Sequence, residues 1–139
     1  MAYEQNPYAV KITLVADSTL DATSQYKFVK TGAAITGTTS ATAVAAATDR
    51  PIGVLQNQPV VRTSGNQEAE VTVSGVSKVV AGGTIAVGAI LTTTSAGLAI
   101  TAVPGTDTTK YILGTALTAG VSGDYITAVI SCGNSGRAA

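Results

Sequence analysis

The sequence contains no histidine and no tryptophan among its 139 residues. Without histidine the chain lacks the most common general base and the most common metal ligand, and it cannot form a Ser-His triad. The phosphate-binding pattern Gly-x-x-x-x-Gly-Lys-Ser/Thr is also missing. We therefore predict that the protein is not an enzyme, that it has no catalytic residue and that it binds no cofactor.

Charge is equally scarce. Charged residues make up 12% of the chain, and 8 Lys plus Arg balance 8 Asp plus Glu. Without a basic patch we expect no binding to nucleic acid or to an anionic membrane surface. No apolar run approaches the roughly 18 residues of a membrane-spanning helix. The first nine residues hold no Lys or Arg, unlike a secretory signal, so we expect the chain to stay in the cytoplasm where it is made.

The few remaining chemical groups favour structural roles. Cys132 is the only cysteine, so we predict a buried strand residue and no disulfide or thiolate metal site. Asp17 and Asp21 could share a calcium ion, but their spacing does not match an EF-hand and favours a solvated turn. Glu68 and Glu70 would lie roughly 7 Å apart on one strand face. A glycosidase uses two carboxylates at a comparable separation, but the missing tryptophan favours a solvated face. We predict no metal site.

What the sequence does contain is a series of short β-branched runs separated by Gly, Asn and Ser. Turn signals about every 8–12 residues are typical of a sandwich or barrel. The predicted strands are Lys11–Ala16, Gln25–Thr31, Pro51–Gln56, Glu68–Ser74, Lys78–Ala81, Ile90–Thr94, Leu98–Val103, Lys110–Leu117 and Asp124–Ser131. The pattern predicts an all-β, single-domain β-barrel or barrel-like sandwich of short antiparallel strands, with an extended N-terminal arm.

Alternation within these runs predicts which residues share a face. In Gln25–Thr31, Tyr26 and Phe28 would lie opposite Lys27 and Val29. In Glu68–Ser74, the predicted core face holds Ala69, Val71 and Val73, and the other face holds Glu68, Glu70 and Thr72.

Turn residues predict two hairpins, one around Gly97 and one around Gly120 and Gly123. The alanine-rich stretch Ala41–Thr48 could form a short helix or an ordered loop. There is a weak internal sequence similarity between Ile52–Leu55 and Leu113–Leu117. Both are apolar runs with glycine at the second position, and each is followed by an alternating strand.

The N-terminal region is rich in aromatic residues, with four of the six falling in the first 28 positions. We interpret Met1–Val10 as an extended arm that orders against a partner; the alternative is a terminus whose tyrosines fold back on the domain. The predicted division is residues 1–24 for the arm and first strand, 25–131 for the barrel-like domain and 132–139 for a flexible tail.

Five stretches carry a resemblance to a known family. They are Thr48–Asn57, Glu68–Val79, Gly82–Thr93, Ile112–Leu117 and Ile126–Ile130. In order and spacing, over roughly residues 25–131, they resemble the tailed-bacteriophage capsid decoration proteins, which are also called head-stabilising or cement proteins.

The resemblance implies a compact β-barrel-like domain, often a homotrimer, that binds the major capsid protein where capsomers meet. It places the protein on the outer capsid surface of the virion, after synthesis in the bacterial cytoplasm. An arm in this family adds to a capsid sheet edge. The capsid-contact residues would then be Tyr3, Glu4, Gln5, Asn6, Pro7 and Tyr8.

Two other classes of function stay open at this point. A receptor- or glycan-binding module of a phage fibre or surface adhesin would need exposed aromatic platforms, and the predicted loops hold mainly Gly, Ser, Thr and Ala. A small enzyme would need more ionisable groups than this chain offers.

Overall fold

The computed structural model describes residues 9–60 and 67–139. Over these ranges it holds nine β-strands, one 3-10 turn at Ala22–Ser24 and no α-helix, so the all-β prediction is confirmed. The strands are β1 Val10–Ala16, β2 Phe28–Ile35, β3 Thr38–Ala43, β4 Gly53–Leu55, β5 Gln67–Val80, β6 Ile90–Thr93, β7 Ala99–Thr101, β8 Gly114–Ala116 and β9 Tyr125–Ser131.

The first five strands form a closed barrel. Their order is β1-β3-β2-β4-β5, and β5 pairs back with β1, which closes the ring. Four of the five contacts in the ring are antiparallel, whereas β1 and β3 run parallel and pair at Val15 with Ser40 and Ala16 with Ala41. The predicted antiparallel arrangement is thus found at four contacts of the ring, and the contact between β1 and β3 departs from it. Strand β1, which the predicted division grouped with the N-terminal arm, forms part of the barrel wall between β3 and β5.

The barrel interior is aliphatic and alanine-rich. Ile12 pairs with Val71 and Leu14 with Ala69, so the alternating side chains of β1 face the interior as the sequence indicates. Leu20, Val29, Ala41, Leu55, Ala69 and Val71 form the buried cluster there.

The other four strands continue the sheet in the order β5-β9-β8-β6-β7 and surround a second core. A bridge from Ala99 to Ala81 returns β7 to the end of β5. Phe28 and Val54, on the outer face of the barrel, belong to this second core. Their neighbours Val29 and Leu55 belong to the barrel core.

The predicted alternation in Gln25–Thr31 is present in the structure, since Phe28 and the partly buried Tyr26 pack in the second core and Val29 packs in the barrel core on the opposite face. Both Phe28 and Val29 are buried, whereas β2 becomes more exposed toward Ile35. The strand starts later than predicted, at Phe28.

Strand β5 changes its buried face part-way along. Ala69 and Val71 face the barrel core, whereas Val79 faces the second core. The register with β1 shifts between the pairs Lys11–Thr72 and Val10–Ser74, which marks a bulge, and Gly75 follows with φ 120°. One extra residue in a strand moves all later side chains to the opposite face. The two predicted runs Glu68–Ser74 and Lys78–Ala81 are thus one strand, and Thr72 is buried against the second core, not solvated.

The stretch Ala41–Thr48 is neither a helix nor wholly a loop. Residues 41–43 complete β3, and Ala41 is fully buried in the barrel. The hairpin from β2 to β3 turns at Thr36 and Gly37, with φ 46° and 79°. Positive φ at both central residues is the geometry of a tight type I′ hairpin. Alanine favours helices, but its small side chain fits the narrow barrel interior. Burial there outweighs the helix propensity of this stretch.

Both predicted hairpins are present. Strands β6 and β7 pair across the turn at Gly97, which has φ 77°, and β8 pairs with β9. The internal sequence similarity has a structural counterpart, because Gly53 and Gly114 are each the first residue of a three-residue strand. A Cβ on Gly53 would lie 2.3 Å from the Thr72 carbonyl oxygen, and one on Gly114 would lie 2.1 Å from that of Val129. In both places glycine allows close approach of the neighbouring strand.

The C-terminal segment, predicted as a flexible tail, makes backbone contacts. Ala138 donates its N–H to the Lys110 carbonyl, and the Ala138 carbonyl accepts from the Gly105 N–H. The Gly136 carbonyl accepts from the Ile112 N–H, and the Ala138 side chain is buried.

Candidate docking surfaces

The described residues do not gather a group of three or more His, Cys, Asp or Glu side chains that could hold a metal ion. No helix in the described ranges is long and apolar enough to cross a membrane. The ionisable residues singled out in the sequence lie in separate places, each with a local structural role.

Asp17 and Asp21 both stabilise turns. The Asp17 carboxylate accepts the Thr19 N–H at 2.9 Å, and Asp21 accepts the Thr23 N–H at 2.8 Å and caps the 3-10 turn. Hydrogen bonds from Thr23 hold the pKa of Asp21 below its usual value. Each carboxylate is thus engaged within its own turn.

Glu68 and Glu70 are exposed on the barrel wall. Asn57 holds the backbone between them, since its side-chain amide donates to the Glu68 carbonyl and accepts from the Glu70 N–H. Cys132 is buried, and burial raises the pKa of its thiol to about 12. The thiol is therefore protonated and unreactive at neutral pH.

The predicted capsid-contact residues Tyr3 to Tyr8 lie outside the described residues. The structure does show where they join the domain. Ala9 is half-buried and Val10 opens β1 at one open end of the barrel.

This open end, which we call the barrel mouth, is an apolar groove. It is lined by Val10, Ile12, Thr31, Arg50, Pro51, Ile52, Val73, Cys132 and Gly133. The groove is open because, within the described ranges, β1 pairs with β3 only at Val15 and Ala16. Val10 and Ile12 are 53% and 37% exposed, so large apolar side chains meet solvent there.

Among the described residues that line the mouth, Arg50 is the one that carries a charge. Its guanidinium lies 5.9 Å from the centroid of the Tyr111 ring, and Arg137 lies 5.3 Å from the same centroid. In the described part of the chain the ion pairs are Lys30–Asp49 and Lys110–Asp107, which leaves Arg50 without a carboxylate partner there. The mouth is thus apolar with a positive rim.

A second surface, which we call the tyrosine face, consists of Tyr26, Lys78, Leu117, Tyr125 and Val129. Tyr26 and Tyr125 meet edge to face with ring centroids 5.7 Å apart, and the Lys78 ammonium lies 5.6 Å from the Tyr26 ring. Tyr125 is 58% exposed. The two rings form an aromatic cluster with a cation beside it, in which Tyr125 is exposed and Tyr26 is half-buried against the second core.

Backbone strain positions this cluster. Tyr26 has φ 62°, which is uncommon for a bulky residue. Two backbone hydrogen bonds hold it, from the Tyr26 N–H to the Leu55 carbonyl at 2.7 Å and from the Val80 N–H to the Tyr26 carbonyl at 3.0 Å. Strain that the surroundings maintain is a feature of functional sites.

The tyrosine face also has apolar residues where a solvated sheet normally has polar ones. Val129 on β9 is 41% exposed, and Leu117, just after β8, is 37% exposed. The arrangement offers non-covalent docking through aromatic and aliphatic contacts.

Sequence reasoning identified the tyrosines but missed both surfaces. Tyr26 and Tyr125 are far apart in the chain, and neither periodicity nor turn residues indicate that they touch. The mouth depends on where β1 and β3 part, which has no local sequence signal.

Comparison with known proteins bears on the fold. No family model matches the chain, and no curated protein matches it. Among solved structures, the chain is similar to the N base of the head fibre protein gp8.5 of bacteriophage phi29. The two are 24% identical with a TM-score of 0.65, over 89% of this chain and 95% of that chain. This likeness establishes a shared fold across almost the whole domain.

Proposed function

We propose that this chain is a structural protein of a phage head, which binds the outer capsid surface as a decoration protein and stabilises the mature head. In this proposal it acts as a homotrimer, its partner is the major capsid protein and residues Tyr3 to Tyr8 contribute to attachment.

The observation that carries the proposal is the extent of the structural likeness. Both chains are covered almost end to end, so the likeness concerns the whole domain and not a shared hairpin. The similar protein is the base of a fibre on a phage head. This agrees with the independent resemblance of residues 25–131 to capsid decoration proteins.

The docking surfaces support the same proposal. The barrel mouth lies where the N-terminal segment joins β1, and the tyrosine face exposes aromatic and aliphatic side chains. Such residues are enriched at the buried centres of protein interfaces. A trimer linked to three capsid subunits would need only weak contacts at each, because linked sites raise the effective concentration.

Cosedimentation with mature capsids tests the proposal directly. We expect the purified chain to bind decoration-free mature heads of its phage saturably, at a fixed ratio to capsid sites. Deletion of Met1–Tyr8 should reduce this binding while circular dichroism shows an intact β-sheet. Serum albumin, as an unrelated protein, controls for trapping in the pellet.

Failure to bind correctly expanded heads would contradict a decoration role. It would favour a receptor- or glycan-binding module, for which the exposed Tyr125 ring is the first residue to substitute. Unfolding of the deletion variant would show that residues 1–8 belong to the core, and the arm assignment would then be wrong.

A further inference from the structure

We propose that the barrel mouth is a peptide-binding groove and that, in the free protein, its occupant is the chain's own N-terminal segment Met1–Tyr8. This goes beyond capsid binding, because it concerns the protein before any partner is met. The segment would then have to leave the mouth to contact a capsid.

The position of the segment favours this occupant. Val10 both begins β1 and lines the mouth, so the segment joins the chain at the rim of the groove. Asn6-Pro7 is a dipeptide that marks turns. A turn there would direct residues 1–5 back toward the groove, and five extended residues reach about 17 Å. That reach exceeds the length of about 13 Å covered by the half of β1 that borders the mouth.

The apolar lining matches the side chains of the segment. Val10, Ile12, Ile52 and Val73 offer aliphatic surface, and Tyr3 is a large ring with a polar tip. Burying a side chain of this size against aliphatic residues is favourable, and its hydroxyl can still reach solvent at the rim. Exposed Val10 and Ile12 would thereby lose contact with water.

The charges match as well. Glu4 is the only acidic side chain of Met1–Tyr8, and Arg50 is the charged residue among the described residues of the lining. Arg50 has no carboxylate partner in the described part of the chain. A carboxylate from Glu4 would supply one and would fix the direction in which the segment lies.

Tethering favours the chain's own segment over that of a neighbouring copy. A short linker gives an effective concentration in the millimolar range, which is above the protein concentration of an ordinary sample. A segment from another copy would have to compete with this intramolecular contact.

Nuclear Overhauser effects in the full chain test the proposal. Protein labelled with ¹³C and ¹⁵N is mixed with an excess of unlabelled protein. We expect contacts between the Tyr3 ring protons and the methyl groups of Val10, Ile12 or Ile52 within labelled molecules. Isotope-filtered spectra, which detect contacts between labelled and unlabelled molecules, should show no such signals.

Charge variants supply the matched comparison. Arg50→Glu should abolish the Tyr3 contacts, and the double variant Glu4→Arg/Arg50→Glu should restore them. Arg137→Glu is the control, because Arg137 stacks on the same Tyr111 ring but does not line the mouth. It should leave the contacts unchanged. Tyr3→Ala should shift the methyl signals of the mouth.

Two results would overturn the proposal. One is the absence of Tyr3 contacts to the mouth in the unsubstituted chain. The other is their appearance only in the isotope-filtered spectra, which would assign the groove to a second copy. Neither result bears on cosedimentation with capsids, so failure of this proposal is distinguishable from failure of the decoration role.

Discussion

Asp49 shows how one carboxylate organises an irregular segment of this fold. Its Oδ2 accepts hydrogen bonds from the Lys30 ammonium at 2.7 Å and from the N–H groups of Ala45 and Ala46 at 2.9 and 3.0 Å. The hydrogen bond from Lys30, followed by those from the backbone, holds the pKa of Asp49 below its usual 3.8. The carboxylate thus ties β2 to the segment between β3 and β4.

We expect Asp49→Asn to destabilise the protein at pH 7 by about 0.5–2 kcal/mol, as for the loss of a capping carboxylate. Because the folded-state pKa is lowered, this stabilisation is fully present above the unfolded-state pKa near 4 and is lost as the pH falls through the folded-state value. Urea unfolding of both proteins at pH 7 and pH 2.5 measures the difference.

Glu68→Gln is the control, since it removes an exposed carboxylate from the barrel wall. Its unfolding free energy should match that of the unsubstituted chain at both pH values. If Asp49→Asn lowered the free energy of unfolding by the same amount at pH 2.5 as at pH 7, the assigned role of the Asp49 charge would be contradicted.

At the level of single residues, the sequence predicted those whose roles are local. Burial of Cys132 was predicted correctly from its being a lone thiol, but its predicted place in a strand is wrong, because β9 ends one residue earlier at Ser131. The turn roles of Asp17 and Asp21 follow from their neighbours. Asp49 and Tyr26 were not predicted, because their partners are brought to them by the closed sheet.

Among the elements, β5 has the largest effect on the architecture. It runs for 14 residues and contributes to both cores, and the bulge before Gly75 makes this possible. Without the extra residue, Ser77 and Val79 would turn toward solvent and their neighbours would turn inward.

We expect Gly75→Val to destabilise the protein by about 1–3 kcal/mol, because φ 120° is a conformation that a β-branched residue rarely adopts. Gly136→Val is the matched control. A Cβ there meets no atom within 4 Å, and its φ lies outside the positive range. Thermal unfolding followed by circular dichroism compares the stabilities of the two variants. An equal loss of stability in both would argue against strain at the bulge.

The hairpins at Gly97 and at Gly120 and Gly123 were the elements best predicted from sequence, because their glycines mark the turns locally. The β2–β3 hairpin at Thr36 and Gly37 was missed together with β3. The continuity of β5 was missed because Gly75 also looks like a turn residue. Strand β3 was missed because alanine and threonine can occupy several conformations, and only the narrow barrel interior selects the strand.

At the scale of the molecule, low charge and outward apolar residues are what we expect of a protein that assembles with partners. Charged residues are 12% of the chain, and Tyr125 and Val129 point away from both cores. The tyrosine face is the surface on which we expect subunits of the proposed trimer to meet.

Val129→Glu should therefore convert the trimer to a monomer, because three buried carboxylates would have to be desolvated without partners. Val87→Glu is the control, since Val87 is 67% exposed in the segment between β5 and β6. Sedimentation velocity distinguishes the two species. A trimer that survives both substitutions would remove the tyrosine face as the interface, and a monomeric unsubstituted chain would contradict the proposed trimer.

The all-β class and the barrel were predictable from strand spacing and sparse aromatic residues. Ring closure was not, since the contact of β1 with both β3 and β5 joins residues that are distant in the chain. The capsid partner and the trimer follow from resemblance alone and stay predictions.

The order of the strands also has a consequence for protein synthesis. The closed ring is encoded entirely within residues 10–80, whereas the second core needs β6 to β9. A nascent chain can therefore complete the barrel before its second half leaves the ribosome. In such a chain we expect Phe28 and Val54, which belong to the second core of the complete fold, to be exposed on the barrel wall until β6 to β9 cover them.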